Sequence, residues 1–170
     1  MSEDREYEFY IYTDGSGKGE RAHCGGYAAN ILSIQHPDVS YTSVVGGSSC
    51  MNTTRAELTA ILEGLYRVYV YFEMIKRKLS TKTKKKPTIL IVSDREDLVG
   101  VINKLYTSNK HGDLWARYEW YSALFDIEAK WIKRETNMMH SLSDRLASGF
   151  RLVMSDYIQS QESVDHIAKT

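Results

Sequence analysis

Apolar and polar positions along this chain change period in an order that outlines a fold. Residues 7–13 are rich in aromatic and β-branched side chains and run into Asp14-Gly15-Ser16-Gly17, which predicts a strand that stops at Asp14 in a glycine-rich turn. Two more strand-like runs, at about 25–33 and 40–47, flank a turn at His36-Pro37-Asp38. From Thr54 to about Leu79 the period lengthens: Leu58, Ile61, Leu62, Leu65, Val68, Tyr69 and Phe72 recur at three- and four-residue steps, the signature of a long amphipathic helix. Asn52, Thr53 and Thr54 offer capping side chains before it, and Glu57 is expected in its first turn, where the helix dipole tolerates a carboxylate. Residues 88–93 are continuously apolar and too few for a helix, so they predict a buried central strand ending at Asp94. Leu98, Val101, Ile102 and Leu105 outline a short helix, and Asp113 opens another that runs through Trp115 to Leu124. Residues 127–133 return to strand, a last helix starts near Asn137, and the polar tail after Ser160 is expected to fray.

This order places the chain in the α/β class: a mixed five-stranded sheet, three antiparallel strands followed by parallel additions, flanked by helices. Sites in open α/β sheets gather at strand ends near a switch in strand order, which is where Asp14 and Asp94 would meet. The 170 residues, 42% hydrophobic and 26% charged, suit one domain across 1–170 with its core at about 7–158 and no internal repeat. Lys and Arg total 22, as do Asp and Glu, so bulk charge does not grip nucleic acid and any such binding needs a local patch. Seven Lys or Arg crowd residues 76–86, a solvated loop whose Lys-Lys-Lys-Pro end also mimics a nuclear address. Cys24 and Cys50 lack metal-ligand spacing, the start lacks a signal-peptide pattern, and no apolar run is long enough to span a bilayer. A reducing, cytoplasmic setting without membrane partners is the expectation.

Four carboxylates, Asp14, Glu57, Asp94 and Asp144, fall at the ends of four separate patterns. Taken singly each has an ordinary reading: a turn, a helix-start acid, a cap and a surface acid. Brought together they would repel, and cations would have to offset that repulsion. With no His or Cys at motif spacing, hard oxygen ligands favour Mg2+, with Mn2+ the other candidate. Two such ions roughly 3.5–4 Å apart clamp the attacking and leaving oxygens of a phosphodiester, so the reaction class is phosphoryl transfer to water.

The segments around these acids resemble, in order, the motifs of the type 1 ribonuclease H family. Tyr12-Thr13-Asp14-Gly15-Ser16 is similar to its first motif, Gly25-Gly26-Tyr27-Ala28 to the glycine pair of its second strand, and Thr54-Arg55-Ala56-Glu57-Leu58 to its helix motif. Val92-Ser93-Asp94, Asp113-Leu114-Trp115, Trp131-Ile132-Lys133 and Ser143-Asp144-Arg145-Leu146-Ala147 resemble those that follow. The resemblance implies a hydrolase that cuts the RNA strand of RNA/DNA hybrids, leaving a 5′-phosphate and a 3′-hydroxyl. It implies that Asp14 bridges two metal ions, Asp144 holds the ion that activates water, and Glu57 with Asp94 holds the ion on the leaving oxygen. Gly15, Ser16, Asn52, Thr53 and Thr54 stand where family members contact 2′-hydroxyls and phosphates of the RNA strand.

This chain departs from the family pattern at three places. Many members carry a mobile histidine in the loop after the fifth strand, whereas Arg134 or Glu135 stands at its approximate place here. His140 lies one helical turn before Asp144, at a position often asparagine, and is read as an aid to orienting that carboxylate. Arg95 replaces the serine that often follows the fourth-strand aspartate, placing a cation beside Asp94 that could depress its pKa or meet a phosphate. A basic insertion found in some members before Asp113 is short here, and Lys82, Lys84, Lys85 and Lys86 are expected to supply hybrid-binding charge instead. Trp115 and Trp131 read as core. The alternatives are a module of the same fold that grips nucleic acid without cutting it, and a related nuclease acting on DNA or junctions; neither explains four mutually repelling acids better.

Overall fold

The alternating faces of the first strand decide which helix covers which side of the sheet. In the computed structural model, which describes residues 5–17, 24–49, 51–79, 85–134 and 136–168, the strands are β1 (Phe9–Gly17), β2 (Gly25–Leu32), β3 (Thr42–Ser48), β4 (Thr88–Ser93) and β5 (Asp126–Trp131). The helices are α1 (Thr53–Leu79), α2 (Glu96–Ile102), α3 (Gly112–Leu124) and α4 (Met138–Ala168). The strands lie in the order β3-β2-β1-β4-β5, with β1, β2 and β3 antiparallel and β4 parallel to both its neighbours. This is the mixed sheet that the order of apolar patterns implies, and every residue of β4 is buried.

On one face, Phe9, Ile11, Ala29, Ile31, Ile89 and Ile91 from the sheet meet Leu58, Ile61, Leu62, Leu65 and Val68 of α1, joined by Leu98, Leu114 and Tyr118 from the shorter helices. On the other, α4 crosses β1, β2 and β3. It lies so close that a Cβ on Gly26 would stand 2.1 Å from the Ala147 carbonyl oxygen. Beyond α4, Tyr7, Leu90 and Val92 pack with Tyr10, Tyr12 and Ile132 over the β4 part of that face.

Several boundaries differ from the sequence reading. Asp14-Gly15-Ser16-Gly17 is strand rather than turn, because these residues remain paired with β2 as far as Gly17 opposite Gly25. Asp14 is therefore inside β1, two residues beyond the Tyr12–Val92 pairing, which brings it level with Asp94 as β4 ends. Helix α1 begins at Thr53, so Glu57 stands just past the first turn. Leu105 is exposed outside α2, because Lys104 turns to a left-handed φ of 59°. Strand β5 stops at Trp131. Helix α4 continues to Ala168 instead of fraying after Ser160, since the sequence beyond Gly149 has no Gly or Pro to break it.

The basic run is helical as far as Leu79, Lys85 and Lys86 are exposed ahead of β4, and Lys82 and Lys84 lie outside the described residues, as does Cys50. Among the described residues, no helix is long and apolar enough to cross a membrane.

Candidate active site

Each of the four acids reaches the same end of the sheet by a different local device. Asp14 projects from β1 toward α4 and is 1% exposed. Asp94 follows the last residue of β4, and the Trp131 Nε1–H donates to its backbone carbonyl at 3.0 Å, fixing the main chain there. Glu57, 3% exposed, arrives from α1 on the opposite side of β1, where the Gly15 backbone N–H donates to its carboxylate. A Cβ on Gly15 would sit 2.2 Å from the Glu57 nitrogen, so only glycine lets helix and strand approach this far.

Asp144 is seated by the serine before it. Ser43 Oγ donates to the Asn30 side-chain carbonyl, Asn30 Nδ2 donates to Ser143 Oγ at 2.6 Å, and Ser143 Oγ donates to the Tyr12 carbonyl at 3.0 Å. This directed chain ties β3, β2, α4 and β1 together two residues from Asp14, and buried polar groups linked in this way fix one arrangement of the elements that carry them. A second tie runs from Arg151 Nε to Ser16 Oγ at 2.8 Å, with Ser148 Oγ at 3.3 Å, so the Ser16 hydroxyl is engaged with α4.

The charges that converge here are not balanced. Asp14 Oδ2, Glu57 Oε2 and Asp94 Oδ1 are buried without a hydrogen-bond partner among the described residues, and so are both ring nitrogens of His140. Burial, a hydrogen bond with Asp144 and the charge of Asp94 push the Asp14 carboxyl up to about 8, against the opposing pull of Arg134. Burial, then Asp14 and Asp94, raise Glu57 well above the carboxylate range. Burial also pushes Asp144 upward, but hydrogen bonds from Arg134 and from Asp14 outweigh it and hold that group below its ordinary value. Without metal, the site relieves its repulsion by keeping protons.

Two arginines stand beside the acids and behave differently. Arg134, 62% exposed on its side chain, donates through Nη2 to Asp144 Oδ1 at 3.0 Å and brings Nε to 3.8 Å from Asp94 Oδ2, bridging the two carboxylates from solvent. Arg95, expected beside Asp94, does feel the charges of Glu57 and Asp94, but its bonds go to Asp97, at 2.8 and 2.7 Å, and to Thr54 Oγ1 at 3.3 Å, because Asp97 offers a fork-shaped partner two residues away. His140 also departs from its expected role. It is 1% exposed and makes no hydrogen bond to Asp144 among the described residues, although the two groups interact through charge, and its Nε2 lies 3.8 Å from Asp14 Oδ1 and 3.9 Å from Asp94 Oδ1. The three groups offer ligand atoms within 4.8 Å of one another.

Of the other expected residues, Asn52 caps α1 by accepting from the Arg55 N–H at 2.8 Å. Thr54 and Arg95 line an open groove with Tyr106, Lys110, His111 and Trp115. Lys85 and Lys86 precede the opposite end of β4, whose six residues separate them from Asp94 by roughly 20 Å. Glu135 lies outside the described residues. Trp131, expected in the core, is 48% exposed, because β5 is an edge strand and the indole lies over the Asp94 carbonyl.

No protein-family model and no curated protein matches this sequence. Solved structures do match. The N-terminal RNase H domain of rv2228c from Mycobacterium tuberculosis, solved as a fusion with maltose-binding protein, is 16% identical with a TM-score of 0.68, over 90% of this chain and 99% of that one. LC11-RNase H1 in complex with RNA/DNA hybrid is 15% identical, TM-score 0.63, over 84% and 96%. RNase H1 from the halophilic archaeon Halobacterium salinarum NRC-1 is 16% identical, TM-score 0.60, over 84% and 96%. The chain thus has the ribonuclease H fold across nearly its whole length.

Proposed function

We propose that this protein is a divalent-metal-dependent ribonuclease H that hydrolyses the RNA strand of RNA/DNA hybrids to 5′-phosphate and 3′-hydroxyl products. One observation carries the reading: three buried carboxylate oxygens, on Asp14, Glu57 and Asp94, have no donor among the described residues, on a fold whose solved representatives include one bound to RNA/DNA hybrid. Orphaned buried acids are costly, and a protein that only gripped nucleic acid would gain nothing from them. They fit a site for hard divalent cations, Mg2+ or Mn2+, which Asp14 and Asp144 would hold toward the attacking water and Asp14, Glu57 and Asp94 toward the leaving oxygen. When bound, the ions supply charge stabilisation at the attacking and leaving oxygens.

The chain's own residues supply position. The Gly15 N–H aims one Glu57 oxygen and leaves the other open, and the Ser43, Asn30 and Ser143 chain holds α4 so that Asp144 stays against Asp14. Arg134, bound to Asp144 and close to Asp94, partly neutralises the two carboxylates and, at 62% exposure, would have room to yield that place to a cation. The groove past Thr54, Arg95 and Lys110 offers hydroxyl and cationic groups for backbone phosphates. Lys85 and Lys86 supply charge to the hybrid at a distance from the acids, and Lys82 and Lys84 add to that charge.

The test is to incubate the protein with labelled RNA/DNA hybrid, duplex RNA or duplex DNA in Mg2+, Mn2+ or EDTA, beside Asp14→Asn. The expected result is cutting of the hybrid alone, dependent on the divalent ion and reduced at least about 1,000-fold in the variant. Binding without cutting in either ion, or cutting of duplex DNA in preference to the hybrid, would overturn the proposal.

A further inference from the structure

His140 is a buried group that an all-oxygen metal site leaves without a task. A buried histidine that serves packing alone normally finds partners for its ring nitrogens, since an unpaired polar atom in the interior costs stability. Here, among the described residues, neither nitrogen has one, and the ring is 1% exposed. Its Nε2 is directed at two carboxylates, Asp14 and Asp94, at 3.8 and 3.9 Å. These separations are too long for hydrogen bonds. They suit a shared ion, because two ligand atoms each about 2.1 Å from one cation stand roughly 3–4.2 Å apart.

We infer that His140 is a direct nitrogen ligand of the ion shared by Asp14 and Asp94, making a mixed nitrogen and oxygen site that favours a first-row transition-metal ion such as Mn2+ over Mg2+. The inference deepens the proposed function and rests on its assignment of Asp14 and Asp94 as metal ligands. The chemistry lies in the ligand set. Mg2+ binds through oxygen and keeps several of its waters, whereas imidazole bonds more readily to transition-metal ions, whose affinities also rise along the first row from Mn2+. The placement lies in the fold. Helix α4 is held to the sheet by Ser143, so His140, one turn earlier, is carried to the place where β1 and β4 part.

The experiment uses the full chain without substrate, loaded with Mn2+, and reads nitrogen coupling by electron spin-echo envelope modulation alongside calorimetric affinities for Mn2+ and Mg2+. Wild type is expected to show imidazole nitrogen modulation. His140→Asn is expected to lose it, to bind Mn2+ about tenfold more weakly, and to bind Mg2+ within about twofold of wild type. A cooperative melt in EDTA establishes that the variant is folded, with His140→Gln as its replacement if it is not; should neither fold, the wild-type spectrum decides, because His140 is the histidine facing these carboxylates among the described residues. Bound Mn2+ without nitrogen modulation, or unchanged Mn2+ affinity in a folded His140 variant, would refute the inference. If the wild type still cuts the hybrid, the inference fails alone; if Asp14→Asn keeps full Mn2+ affinity and no substrate is cut, the underlying nuclease reading fails as well.

Discussion

The two faces of this sheet are built on opposite terms. Against α1 the contacts are mainly hydrocarbon, from Phe9, Ile11 and Ile31 to Leu58, Leu62 and Leu65, all fully buried. Against α4 the sheet offers Asn30, Tyr12 and Asp14, which meet Ser143, His140 and Asp144 through directed hydrogen bonds and unbalanced charge. A hydrocarbon layer gains stability from area and tolerates exchange of similar volumes, while a polar layer specifies position and is costly wherever a partner is missing. The stability of the fold therefore rests mainly on one layer and its chemistry on the other, with Glu57 the one acid that crosses between them.

Three substitutions test that division. Leu62→Ala, on the hydrocarbon side, should lower unfolding free energy by about 3–5 kcal/mol while leaving the metal affinity of the folded protein unchanged. Denaturant melts with calorimetry on the folded fraction measure both, and a parallel loss of metal affinity would erase the distinction. Asp14→Asn, on the polar side, should do the reverse: abolish metal-dependent cutting yet stabilise the metal-free fold, by on the order of 2–4 kcal/mol at pH 7. The sign follows from the raised carboxyl. Proton binding to folded Asp14 contributes stability that is complete below the unfolded value of 3.8 and is lost as pH rises toward about 8. Melts in EDTA should accordingly show the wild type weakening between pH 4 and 8, with the advantage of the variant shrinking toward pH 4. An Asp14→Asn protein less stable than wild type at pH 7 would mean that this face is better satisfied than its orphaned oxygens imply. Ser143→Ala should cost only about 1 kcal/mol of stability but weaken metal binding several-fold, since it unties α4 from the Tyr12 carbonyl beside Asp144. Unaltered metal affinity would detach the hydrogen-bonded chain from the site.

What was legible in the sequence divides along the same line. Periodicity reveals α1 and β4 because a buried face repeats along the chain, and the four acids can be named because each lies near an end of an element that such a repeat defines. Gly15 and Gly17 read as a turn because their role, letting α1 approach the strand, depends on an element some forty residues away. Helical spacing puts His140 beside Asp144, with which it does interact, but gives no sign of Asp14 and Asp94, which reach its Nε2 from two strands. Trp131 read as core because its pattern is that of a strand, and only the position of β5 at the sheet edge leaves the indole half in solvent. Arg95 and Arg134 each lie close to acids in sequence, and the choice of Asp97 for one and Asp144 for the other is a matter of side-chain reach.

The bare backbone at Gly15 has a consequence for how such a chain can change over time. Main-chain contact between residue 15 and residue 57, rather than the girth of the surrounding aliphatic side chains, sets the distance from Glu57 to Asp14. Substitutions in the oily layer can accumulate one after another without moving that ruler. A chain can in this way exchange its hydrocarbon side chains and still carry its acids on the same gauge.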